Sequence, residues 1–332
     1  ARLDALAAPD LIAVLALPEP TTQRLCAPAS EALQPARRFA RRLDRDWDTH
    51  SYSRLRGESH SGVRAGVDDE SGDAVSIDVN AGELSELIEL PGGTRFGTAF
   101  HDILENASFS EWHAFDPDDM AAPPLVLVRR MLGRHGLAAT LAPRVARLAQ
   151  ATLHVPLPAG CRLVDLDAAQ RRAEFEFHFG IGRADPRRLL DLLHVHGYAR
   201  GRKQFAVDAA RLEGLMHGLI DLVFVRDGRW WIVDYKTNRL GPRRADYTPA
   251  RLAAAVQASE YDLQYLIYLV ALHRWLRLQL GADYDYERDV GGAIYLYARG
   301  IDARGEHGVF HDRPPASLII ALDALLAPGT AA

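Results

Sequence analysis

The 332-residue chain is 48% hydrophobic and 25% charged, with a net charge of −5 and two cysteines, Cys26 and Cys161. A globular protein of one large domain or two small ones is expected; a disulfide framework, a four-cysteine iron–sulfur cluster and a membrane span of roughly 20 apolar residues are excluded. Sparse cysteine points to the cytoplasm, and the acidic balance means that any nucleic-acid contact is local or is completed by partner subunits.

Residues 1–46 read as an appended segment. Residues 11–17 are apolar enough for a short buried strand or helix, and Pro18, Pro20, Pro28 and Pro35 then space out an extended linker. The chain starts at Ala1 without a methionine, as a fragment of a longer protein would. It has no Gly-x-x-x-x-Gly-Lys-Ser/Thr loop, so no ATP site is expected. Folded sequence opens at Trp47-Asp-Thr-His-Ser51-Tyr52-Ser53, and residues 57–92, rich in Gly, Ser, Asp and Glu, read as an exposed loop.

Thr98 is expected to open a helix in which Phe100, Ile103 and Leu104 form the apolar stripe and His101 lies beside it. A lone histidine there is ordinarily a packing or surface residue. Helices at 124–133 and 142–153 look like packing, the second with Pro143 at its start. Glu174-Phe-Glu176-Phe-His178-Phe alternates with period two, so it is a strand with its phenylalanines toward the core and Glu174, Glu176 and His178 on the other face. Residues 185–194 form another helix.

The next stretch runs Gly218-Leu-Ile-Asp221-Leu-Val-Phe-Val-Arg-Asp227-Gly228-Arg-Trp-Trp-Ile-Val-Asp234-Tyr235-Lys236. Asp227-Gly228 between two apolar runs signals a two-residue hairpin turn. Opposed residues then sum to 455, which sets Asp221 across from Asp234, with Lys236 two residues on and on the same face. Leu219, Val223, Val225, Trp230 and Ile232 share that face; Ile220, Leu222, Phe224, Trp231, Val233 and Tyr235 make the other. Both faces are apolar, so the hairpin is covered on both sides. Like charges in direct opposition are destabilising, and a hard divalent cation such as Mg²⁺ converts that repulsion into binding. A capped strand end with an Asp–Lys pair is the plainer account, outweighed by the Asp-x-Lys spacing between two apolar faces.

Beyond the hairpin, Thr248 and Pro249 supply an N-cap and N1 residue for a short helix. A long helix follows at about 260–280, where Gln264 and Tyr268 are four apart and share a face. Residues 291–298 form a strand and 315–326 a closing helix. Two basic clusters lie nearest the hairpin in sequence, Arg200 with Arg202 and Lys203, and Arg239 with Arg243 and Arg244. They are the better candidates for phosphate contact.

In this order, Gly97-Thr98-x-x-His101, Gly218-x-x-Asp221, Asp234-x-Lys236 and Gln264-x-x-x-Tyr268 resemble the motifs of RecB-type nuclease domains in the PD-(D/E)XK superfamily, over about residues 47–326. A similar Ser-Tyr-Ser stretch begins such domains. The resemblance implies an α/β fold: a restriction-endonuclease-like core with a mixed central sheet flanked by helices, and additional N-terminal helices. It implies a nuclease domain at 47–328, preceded at 1–46 by the end of a helicase part and its linker. The implied activity is that of a metal-dependent deoxyribonuclease of the exodeoxyribonuclease V type, acting in double-strand break repair and recombination.

By the same resemblance Asp221, Asp234 and Lys236 are catalytic. His101, Asp221, Asp234 and the Tyr235 backbone carbonyl hold Mg²⁺, with Mn²⁺ as a substitute; apart from the resemblance, one metal or two stays open, since Glu174 or Glu176 could serve a second ion. Gln264 and Tyr268 contact DNA. Implied partners are DNA, RecC-like and RecD-like subunits of a heterotrimer, and the RecA recombinase, in a bacterial cytoplasm and away from any membrane. The alternatives are an AddAB-type or stand-alone nuclease of the superfamily, or a catalytically silent fold that docks DNA or protein.

Overall fold

Alternating apolar strands and the Asp-Gly turn build one mixed sheet in the computed structural model, which describes residues 16–17, 47–57, 90–205 and 212–327. The appended segment, apart from residues 16–17, and residues 58–89 of the expected loop lie outside the described residues. The strands are β1 (Trp47–His50), β2 (Arg171–Ala184), β3 (Leu212–Arg226), β4 (Arg229–Lys236), β5 (Val290–Tyr297) and β6 (Val309–Asp312). The helices are α1 (Tyr52–Arg56), α2 (Thr94–Glu105), α3 (Pro123–Arg134), α4 (Ala142–His154), α5 (Pro186–Val195), α6 (Pro249–Ala258), α7 (Tyr261–Leu280), α8 (Tyr286–Asp289) and α9 (Ala316–Leu326).

β3 is the spine of the sheet. One edge carries β2, antiparallel along most of its length. The other edge changes partner: it pairs parallel with β1 up to Met216 and antiparallel with β4 from Leu222. Between those ladders, from His217 to Asp221, this edge has no strand partner among the described residues. β4 continues, parallel to β5, through Lys236, and β6 closes the sheet antiparallel to β5. The hairpin pairs sum to 455 from Arg226–Arg229 to Leu222–Val233, and both turn residues have positive φ, Asp227 at 50° and Gly228 at 77°. That is the type I′ geometry an Asp-Gly pair favours.

Each face of the sheet buries its own core. Leu222, Phe224, Trp231, Val233 and Tyr235 pack with Phe100, Ile103, Leu125, Val145 and Leu148 of α2, α3 and α4. Val223 and Ile232 pack on the other side with residues of α5, α6, α7 and α9. Burying each such side chain is worth about 1.5–3 kcal/mol. α7 is buried round nearly its whole first three turns, from Tyr261 to His273, which is why its sequence lacks a polar stripe. Among the described residues no helix is long and apolar enough to cross a membrane.

Three local expectations change. Ile220 packs in the core of Val223, not in that of Leu222. Beside it on β2, between the pairs Ala173–Leu222 and Phe175–Ile220, Glu174 takes φ 48° and breaks the regular pleat. α2 begins a turn earlier than expected, at Thr94 after Gly93 with φ 88°, so Thr98 lies inside it and donates its hydroxyl to the Thr94 carbonyl. Thr248 occupies the N-cap of α6, but its side chain makes no capping bond.

Gly214 has φ 142°, and a Cβ there would lie 1.7 Å from the Asp48 carbonyl oxygen on β1. Gly214→Ala is expected to destabilise the protein by about 1–3 kcal/mol. Amide hydrogen exchange should show protection lost across Asp48–His50 and kept across the β3–β4 ladder.

Candidate active site

The sheet parts where the acids stand. Asp221 is one step past the last β3–β4 pair, and its Oδ2 accepts the Tyr235 backbone N–H at 2.8 Å. A carboxylate thus continues the pairing where the backbone ladder stops. On the helical layer beneath, Phe96, Phe100, Ile103 and Leu104 dock α2 into its core. That docking brings His101 against the hairpin, with Nδ1 3.4 Å from Asp221 Oδ1 and its ring edge-on to Tyr235 at 6.1 Å. Burial opposes charge on this imidazole, but Asp221 beside it and Asp234 behind it outweigh burial and the nearby Lys236, raising its pKa to about 9. The pair therefore contributes stability fully below the ordinary histidine pKa of about 6.5 and loses it as pH rises through 9.

Asp234 and Lys236 are both buried, with Lys236 Nζ 2.8 Å from Asp234 Oδ1. The ammonium is enclosed further by Tyr261, whose ring centroid is 3.9 Å away, by Tyr295 at 5.4 Å, and by Gln264 Oε1 at 3.4 Å. Aromatic faces attract an ammonium, more so when it is desolvated. Tyr295 donates its hydroxyl to Gln264 Oε1 at 2.7 Å, and Gln264 Nε2 donates to the Tyr268 hydroxyl at 3.1 Å. Gln264 and Tyr268 thus join the group on one helical face.

One imidazole and two carboxylates are a donor set for a hard or borderline cation. Two donors at right angles on Mg²⁺ stand about 3 Å apart, and the 3.4 Å between His101 Nδ1 and Asp221 Oδ1 is close to that. The Tyr235 amide fixes the Asp221 carboxylate, as an outer partner of a ligating group does. Asp234 leans instead toward Lys236, so the donor atoms of all three do not fall within 4.8 Å of one another. Among the described residues only Asp302, Glu306 and His307, in the loop before β6, form such a set.

Several residues of this site lie outside the motifs. Arg299 is buried and donates to the carbonyls of Thr237, Leu90 and Pro91, tying the residue after Lys236 to the entry of α2. Tyr295 faces Asp234 across the parallel β4–β5 register. Glu174, whose strained backbone opposes Asp221, is half-buried. Glu105 is exposed. Of the basic clusters, Arg202 is consumed by structure: it is buried, pairs with Glu260 and donates to the carbonyls of Leu55 and Gln204. Arg239, Arg243 and Arg244 are exposed just past Lys236.

A model of the PD-(D/E)XK nuclease superfamily matches residues 82–319. The chain is also similar to the RecBCD enzyme subunit RecB of Escherichia coli K12, 33% identical over 292 residues, covering 85% of this chain and 23% of that protein. The Haemophilus influenzae subunit is 31% identical over 309 residues, covering 87% and 24%. That of Mycobacterium tuberculosis CDC 1551 is 34% identical over 340 residues, covering 88% and 30%. The chain thus spans about a quarter of the length of these curated relatives.

Arg299→Met removes donors from three carbonyls, so it is expected to lower stability by at least about 3 kcal/mol in urea unfolding. Arg299→Lys should recover only part of the loss, because one ammonium lacks the spread of the guanidinium fork.

Proposed function

The chain belongs to the PD-(D/E)XK nuclease superfamily, and on that premise we propose that it is a Mg²⁺-dependent deoxyribonuclease domain, the C-terminal part of a RecB-like helicase–nuclease subunit. The observation that carries this reading is the convergence of half-buried His101 with buried Asp221, Asp234 and Lys236 at the parting of β3 and β4. Residues 47–328 are the nuclease domain and 1–46 its connection to the helicase part. Similarity to RecB subunits of bacterial RecBCD enzymes supports RecC-like and RecD-like partner subunits; on the nuclease reading the substrate is DNA and the role is break repair and recombination in a bacterial cytoplasm.

His101, Asp221 and Asp234, with the Tyr235 carbonyl, would hold Mg²⁺, or Mn²⁺ in its place, once Asp234 turns from Lys236 toward the other two. When bound, the ion supplies Lewis acidity that polarises a water and offsets charge on a phosphate. Lys236, held by Asp234, Gln264 and Tyr261, donates to the attacking water or the phosphate oxygens. Gln264 and Tyr268 place the strand, Gln264 by hydrogen bonding and Tyr268 by packing against sugar or base.

The test is digestion of single-stranded DNA in Mg²⁺ by the chain and its variants at low salt. Asp234→Ala and Lys236→Ala should each lower the rate by about 10² or more. A variant as active as the parent would remove that residue from the mechanism, and equal silence of parent and variants at high enzyme concentration would favour the docking-module alternative.

A protonated His101 cannot ligate, so metal binding has to expel its proton. Below pH 9, calorimetry in buffers of different ionisation enthalpy should show about one proton released per ion bound, with apparent affinity rising as pH approaches 9. His101→Ala should abolish that release.

A further inference from the structure

Where β3 has no strand partner on one edge among the described residues, an open, shallow cleft lies beside the catalytic cluster. Ser51 and Ser53 line it from the start of α1, His217 from β3, Phe177 from β2, and Gln264 and Tyr268 from α7. The Tyr52 hydroxyl donates to the Ser259 carbonyl at 3.0 Å, which anchors both serines against the corner that leads into α7. Gln264 is common to both places: it accepts from Lys236 and donates to Tyr268. The cleft is therefore a direct continuation of the reacting centre.

Its chemistry is specific. The floor is aromatic, with Phe177 edge-on to Tyr268 at 5.8 Å. Phe177 lies so close over Gly218 that a Cβ there would be 2.6 Å from its ring. The rim carries hydroxyls and an imidazole, and among the described residues no carboxylate lines it. The His217 ring is stacked on that of His178 at 6.1 Å and 19°, which fixes its plane. Ser51 accepts the Arg54 N–H at the cap of α1 and keeps its own O–H to donate. Aromatic faces beside hydroxyl and imidazole donors suit a base and a phosphate of a single strand.

Resting on the nuclease reading above, we infer that this cleft holds the nucleotide unit next to the scissile phosphate. Ser53 and His217 donate to its phosphate, and the Phe177–Tyr268 floor carries its base. The four motifs account for the bond that is cut; this subsite sets which bond along the strand is presented to them.

The experiment measures Kd for a fluorescent oligothymidylate with no divalent metal present, so that it does not depend on cleavage, and follows digestion in Mg²⁺ in parallel. Ser53 is half-buried at a helix start, so a charge is accommodated there. Ser53→Asp should weaken binding about tenfold, and Ser53→Lys should tighten it several-fold and steepen its salt dependence by about one ion. A merely structural disturbance moves both variants the same way. An abasic unit one step from the cut should erase most of the effect of Phe177→Leu on KM and leave that of His217→Ala. If the chain digests DNA while the two Ser53 variants bind like the parent, or shift together, the subsite is wrong and the nuclease reading stands. If the parent neither binds nor digests DNA, both fall.

Discussion

Everything in this site depends on β3 and β4 ceasing to pair at Asp221. Had the ladder continued, Asp221 and Asp234 would be directly opposed carboxylates in a covered sheet, which is destabilising. Instead the strands part, and the Asp221 carboxylate takes the Tyr235 N–H that the ladder no longer serves. Asp234 answers to Lys236, and Asp221 to His101. An uncompensated buried charge costs several kcal/mol, whereas breaking one pair in such a group costs about 3–5. The four groups are therefore held as a set.

The two layers contribute different chemistry. The α2 side brings the imidazole; the α7 side brings Gln264, Tyr268 and the ring of Tyr261. The sheet between them carries the acids and the lysine. Arg299 clamps this arrangement from one end, since its guanidinium joins the backbone after Lys236 to the backbone before α2. Interatomic spacing at the site is thus set by packing on both faces of the sheet, and a substitution deep in either core can change it.

Much of this was legible in the chain. An Asp-Gly pair demands its own turn geometry, and the turn then dictates every partner in the hairpin. Period-two apolarity marked β2, and helical spacing placed Gln264 and Tyr268 together. What escaped has a common cause: it depends on register between segments far apart in sequence. The pairing of β1 with β3 is parallel and has no turn to fix it. Tyr295 meets Asp234 only through the parallel β4–β5 alignment. Arg299 binds carbonyls, which any residue offers, so nothing in its neighbourhood marks it. Ile220 changes sides next to a backbone irregularity in a different strand, at Glu174, which the β3 sequence does not mark.

The raised pKa of His101 has a consequence for how charge is cycled. With His101 protonated, the cluster sets an imidazolium and an ammonium against two carboxylates. A divalent ion that displaces the imidazole proton would leave it with a single positive charge. A phosphodiester brings a single negative one. The enclosed site would then return to neutrality only when the ion and the substrate are both in place, so neither the empty protein nor the loaded complex would strand a net charge in the interior.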